Sequence, residues 1–134
     1  KPSPRESDLT PVEIDELVEF KTREFELSKT NDNGNSLRDE AQAIIAMGYD
    51  IPDDYKSLPK PKHYTYCLDW FDLLSRTRSS NGFGQNAISY LEIDAWSRLT
   101  NIELTQVEVN AIIQIDSAYL TIQAKQIAQR SKTK

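Results

Sequence analysis

The sequence predicts an all-α protein: a small helical domain of four to five helices, with a C-terminal three-helix core and an N-terminal helical appendage. Three observations carry that expectation. A Ser or Thr followed three residues later by an acid, the signature of a helix start, recurs at Thr10–Glu13, Ser36–Asp39, Ser89–Glu92 and Thr105–Glu108. Between these signals the apolar residues recur at three- and four-residue spacing, which puts them on one face of a helix. No segment alternates apolar and polar residues as a half-buried strand does.

In chain order, the opening KPSPRESD lacks the apolar content to pack and is expected to be disordered over 1–9. Lys1 in place of methionine reads as a piece of a longer product. Pro11 suits the first position of a helix running to about Ser28. Ile14, Leu17, Val18 and Phe25 form its apolar stripe, which Lys21 interrupts, so this helix has a thin face to bury. KTNDNGN is turn chemistry, and a short second helix then carries Leu37, Ala41, Ile44 and Ile45 until Gly48 stops it. Residues 10–50 thus form an acidic helical segment. Pro52, Pro59 and Pro61 make 51–62 an extended connector and the main boundary of the chain, before a helical domain over 63–130.

Beyond the connector, Cys67, Trp70, Phe71 and Leu74 stand at i, i+3, i+4 and i+7, a buried helical stripe ending near Arg76. SSNGFGQN follows, a loop whose two glycines allow a tight path around Phe83. Ser89 opens a helix with Ile93, Trp96 and Leu99 as its inner face. Thr105 opens the longest helix, with Val109, Ile112, Ile113, Asp116, Tyr119 and Leu120 on a broad face. The cations Lys125, Arg130, Lys132 and Lys134 suit the negative pole of its end.

Composition narrows the function. A chain of 134 residues with 38% hydrophobic content buries one modest core. A net charge of −5 discourages contact with phosphate backbones. The acidity lies in front, with 8 basic against 14 acidic residues over 1–60 and 8 against 7 over 61–134. One cysteine forms no internal disulfide and suits a reducing cytoplasm. No apolar run approaches a membrane span, and no signal peptide opens the chain, so no membrane contact is expected.

Candidate chemistry is thin. His63 is the one histidine, which excludes a multi-histidine metal site within one chain. His63 and Cys67 stand at i, i+4, yet no electropositive cradle or orienting group accompanies them. Asp69/Asp72 and Glu92/Asp94 read more simply as solvated faces and a cap than as acid/base pairs. Gly82-Phe83-Gly84 lacks the Lys-Ser/Thr ending of a phosphate loop. The last helix offers Gln106, Asn110, Gln114 and Gln123 but no base before Lys125, unlike a DNA reader. Neither an enzyme nor a cofactor is expected.

Surface contacts are the better prospect. Asp116 interrupts an apolar line, either hydrogen-bonded at the core edge or serving as a charged point in a partner groove. Trp70, Phe71, Tyr90, Trp96 and Tyr119 stand at core spacing, although Trp and Tyr also dominate binding hot spots. Phe83, outside any stripe, is the best contact candidate.

The span DWFDLLSRTRSSNGFGQNAISYLEIDAWSRLTNIELTQVEVNAIIQIDSAYL resembles the tail assembly chaperones of long-tailed bacteriophages and prophages. In that family an aromatic helix with a trailing arginine leads to a GFG or GMG loop, then to "IsY.eI.aW.rLT" and "Ev..i..lD.AYL". The resemblance covers about Asp69–Leu120. Position by position it picks out Trp70, Arg78, Gly82, Phe83, Gly84, Ile88, Tyr90, Ile93, Trp96, Leu99, Thr100, Leu104, Thr105, Glu108, Asp116, Tyr119 and Leu120. It departs at Gln85 and Asn86, where family members often carry proline, and is silent over 1–62.

The resemblance implies a noncatalytic chaperone that coats the phage tape-measure protein, helps recruit tail-tube protein, works in the host bacterial cytoplasm and leaves before the virion is complete. Partner contact is expected at Phe83, Gly82, Gly84, Arg78, Asp116, Trp70, Tyr90 and Tyr119, with no nucleic acid as partner and room for a homo-oligomer. The alternatives are a structural tail or head-tail connector protein and a small DNA-binding packaging or regulatory protein.

Overall fold

Ser36, Ser89 and Thr105 each cap a helix. Ser36 Oγ accepts the Asp39 N–H while Asp39 accepts the Ser36 N–H, a reciprocal box. Thr105 and Glu108 repeat it, with Glu108 Oε1 accepting the Thr105 N–H at 2.9 Å and Thr105 Oγ1 accepting the Glu108 N–H at 3.2 Å. Ser89 Oγ accepts the Glu92 N–H. Each pairing satisfies donors that a helix start leaves unpaired.

The computed structural model describes residues 12–132, with side chains through residue 129. The expected disorder over 1–9, the Thr10–Pro11 half of the first cap and the tail cations Arg130, Lys132 and Lys134 lie outside what is described. Among the described residues are five α-helices: α1 (Val12–Ser28), α2 (Leu37–Ala46), α3 (Tyr66–Ser75), α4 (Tyr90–Thr100) and α5 (Gln106–Lys132). A 3₁₀ turn at Asp53–Tyr55 lies between α2 and α3. No strand forms among these residues beyond two isolated bridges, Thr30 with Ser36 and Ser80 with Gln85. The all-α class is as predicted.

The long α5 is the axis. α1 and α3 pack along it, α2 folds onto α1, and α4 leans on α3. One core joins Ile14 and Leu17 of α1, Cys67, Leu68, Phe71 and Leu74 of α3, Ile88 and Ile93, and Ala111, Ile112 and Ile115 of α5. The first helix is therefore closer to the rest than an appendage. Its stripe is thin, as expected, with Ile14 and Leu17 fully buried and Val18 and Phe25 partly buried against the same core, and α5 is long enough to receive it.

The polar residues that crowd α1 tie it down. Lys21 meets Asp72 of α3 at 3.0 Å and lies over the Phe25 ring. Arg23 donates to the carbonyls of Asp53 and Lys56, both at 2.9 Å, which fastens the Pro-rich segment to α1. Arg38 of α2 pairs with Glu24 at 2.6 Å.

Several side chains lie elsewhere than expected. Leu99 is 87% exposed, pointing away from the face that Ile93 buries. Trp96 is only half-buried, and Ile45 is exposed. Conversely Leu68, Ala111 and Ile115 are buried although they fall outside the stripes read from spacing. α3 and α5 meet neighbours on more than one side, so their inner faces are wider than one stripe.

Candidate partner-binding site

After α3 the chain turns through residues 79–86 before α4. Asn81 Oδ1 accepts the N–H groups of Phe83 and Gly84 at 2.9 and 3.1 Å, and the Asn81 N–H donates to the Gly84 carbonyl. Ser80 Oγ donates to the same carbonyl, and Asn86 bonds Ser79 through both its N–H and its side chain. Gly82 adopts φ +88°, a conformation that costs glycine little and other residues much. A proline at position 86 would lack the N–H donated to Ser79, so this departure from the family pattern supports the loop's own geometry.

At the tip stands Phe83, 92% exposed. Its ring has no packing role among the described residues. Gly84 approaches α5, where a Cβ would lie 4.0 Å from Ile127 Cδ1.

A buried ion pair braces this loop from behind. Arg78 Nη2 lies 2.6 Å from Asp116 Oδ1, with side chains only 1% and 4% exposed. Oδ1 has no well-aligned hydrogen bond, so the guanidinium charge is its compensation. Asp116 Oδ2 accepts the Ile88 N–H at 2.9 Å, Arg78 Nη1 donates to the Asn86 carbonyl at 2.9 Å, and Arg78 Nη2 also donates to Ser75 Oγ. The guanidinium lies 4.8 Å from the Tyr119 ring centroid and 5.8 Å from that of Phe71, a favourable place for a cation. Tyr119 donates its hydroxyl to Gln85 Oε1 at 2.7 Å and accepts from Gln123. Both ends of the loop are thereby fixed to α5.

This geometry sorts the eight predicted contact residues. Phe83 is presented to solvent, with Gly82 and Gly84 shaping its loop. Arg78 and Asp116 do not face a partner groove; each is buried and satisfied by the other, because a charge without water needs a paired charge. Tyr119 belongs to the same brace. Trp70 sits apart, its ring against Tyr66 at 4.7 Å and Trp96 at 5.8 Å between α3 and α4. Tyr90, at the start of α4, is exposed. Spacing alone missed Ser75, Gln85 and Asn86 as partners of the brace, since none of them has a periodic or motif signal.

A second polar node lies at the start of α5. Tyr66 donates to Glu108 Oε2 at 2.5 Å, and burial, then this bond, pushes its phenol well above the ordinary range. Burial, then the Glu108 charge, pushes the Cys67 thiol up to about 12. Cys67 is buried while His63 is exposed, so the pair considered from sequence is divided between core and surface. Among the described residues no group of three or more His, Cys, Asp or Glu side chains is placed to hold a metal ion, and no helix is long and apolar enough to cross a membrane.

A concavity of about 580 Å³ opens between α1, the turn after it and the end of α5, lined by Glu26, Asp32, Leu37, Glu40 and Gln126 among others. It shares no residue with the 79–86 loop. Phe83 projects from the surface rather than lining this concavity.

Fold and site together define a small helical domain that carries an exposed aromatic on a loop braced by a buried ion pair. The chain belongs to the phage tail assembly chaperone family, whose model matches residues 44–121, more than half of its length. The match takes in the end of α2 and the Pro-rich segment, so it begins earlier than the resemblance at Asp69. No curated protein and no solved structure gives a match.

Proposed function

We propose that this protein acts without catalysis, binding the phage tape-measure protein and helping to bring tail-tube subunits to it during tail assembly. Family membership supports a role in tail morphogenesis. The observation that carries the finer reading is Phe83, a nearly fully exposed aromatic held in place by hydrogen bonds and a buried charge pair. Preorganisation lowers the ordering cost of association, and a single aromatic anchor supplies affinity that still permits release. A tape-measure protein with long apolar helices offers the cavities between side chains that such a knob fits. The protein then works in the host bacterial cytoplasm and is absent from the finished virion.

The test has two arms. Co-expressed with the tape-measure protein of the same phage, the chain is expected to keep it soluble and to co-purify with it. Mass spectrometry of purified virions is expected to find none of the chain; a stoichiometric amount in mature particles would assign it to the structure of the tail instead.

A further inference from the structure

The outer face of α4 is apolar, and nothing among the described residues covers it. Ile93 is buried, Trp96 meets Trp70, and Ser97 donates to the Ile102 carbonyl, so that side of the helix is occupied. On the opposite side, at 3.6 residues per turn, Leu91, Ala95 and Leu99 form a ridge at i, i+4 and i+8. All three are exposed, Leu91 by 82%. Alongside the ridge run Asp94 and Arg98, exposed and paired with each other.

We propose that this face joins two copies of the chain, with their α4 helices antiparallel about a twofold axis level with position 96. In that register the ridges interleave. Leu99 of one copy falls between Leu91 and Ala95 of the other, and the two small Ala95 side chains let the helices approach. A twofold axis brings the same flank of both helices together, which sets Asp94 of each copy level with Arg98 of the other, twice. Glu92, on the other flank, falls level with Thr100 of the second copy and meets no like charge. Parallel pairing would instead set the Asp94 and Arg98 flank of one helix against the Glu92 and Trp96 flank of the other, which lacks this twofold exchange of opposite charges.

The charge pattern thus complements itself under the operator that defines a homodimer. An eleven-residue helix per copy buries less than the ~800 Å² a side of a standard stable interface, so the dimer forms and dissociates with concentration.

Sedimentation velocity of the full chain from micromolar to millimolar concentration tests the proposal. The wild type is expected to pass from monomer to dimer. Asp94→Arg alone and Arg98→Asp alone each set like charges opposite one another twice and should weaken the dimer by roughly tenfold or more. An equimolar mixture of these two variants restores complementary charge at both positions and should dimerise like the wild type, which also shows that both are folded. A wild type that stays monomeric throughout, variants that dimerise as it does, or a mixture no better than its components would overturn the proposal. So would a Leu91→Ser/Leu99→Ser variant that loses tape-measure binding with its self-association unchanged, since the face would then be the client's.

Discussion

α3 and α4 are helices of ten and eleven residues, yet α3 buries Cys67, Leu68, Phe71 and Leu74 while α4 buries Ile93 alone. α3 lies between α5 and α4, so several of its sides meet protein. α4 leans on α3 from outside and leaves Tyr90, Leu91 and Leu99 in water. Apolar spacing says which residues share a face but not what that face meets. Where one helix encloses its apolar surface and its neighbour displays it, the displayed surface is available to partners.

The comparison is most easily broken by truncating one residue from each helix. Phe71→Ala removes a ring that is 1% exposed and should cost about 3–5 kcal/mol in urea denaturation, as large core truncations do. Leu91→Ala should stay within about 0.5 kcal/mol of the wild type. Equal losses in the two variants would mean that α4 carries core weight its exposure hides.

The brace behind the loop comes next. Asp116→Ala leaves Arg78 buried and unpaired, and should cost about 3–5 kcal/mol. Replacing both partners by apolar residues, Asp116→Leu with Arg78→Met, should recover much of that stability while loosening the 79–86 loop. Faster amide exchange over 79–86 in the double variant would separate positioning from stability; unchanged exchange would show that the loop holds itself.

The smallest expected effect concerns charge between α1 and α2. Burial raises the Glu24 pKa, but hydrogen bonds from Ser57 and Arg38 and the charges of Arg38 and Lys21 outweigh it, so the net shift is downward from 4.5. A carboxyl held below its unfolded value stabilises the fold fully above that value. The contribution is lost as pH falls through the folded pKa. Glu24→Gln should therefore flatten part of the stability decline below about pH 4.5 and leave stability at pH 7 nearly unchanged, as expected for a surface ion pair. A decline of unchanged slope would remove Glu24 from the account.

Much of this was legible in the sequence. Local hydrogen-bond chemistry gave three of the helix starts within the described residues, because a cap involves neighbours three residues apart. Phe83 was legible because it stood outside every stripe and between glycines. What joins distant segments was not. That Arg78 and Asp116 meet depends on α3 and α5 lying side by side, which no spacing encodes; Asp116 read first as a core-edge acid and second as a groove charge, with nothing to name its partner. The burial of α1 was hidden for the same reason: its thin stripe is complete only against α5. The exposure of Leu99 was hidden because α4 has two apolar faces, and spacing identified one.

The reading of Phe83 as a residue displayed for a partner rather than folded into the chain rests on its exposure at the tip of a hydrogen-bonded loop. Calorimetric titration of the tape-measure protein into wild type and Phe83→Ala, with a urea melt of each, tests it most directly. Stability within about 0.5 kcal/mol of the wild type and affinity weaker by roughly tenfold or more are expected, as for loss of an interfacial aromatic anchor. Unchanged affinity, or a loss of stability as large as that of Phe71→Ala, would contradict it.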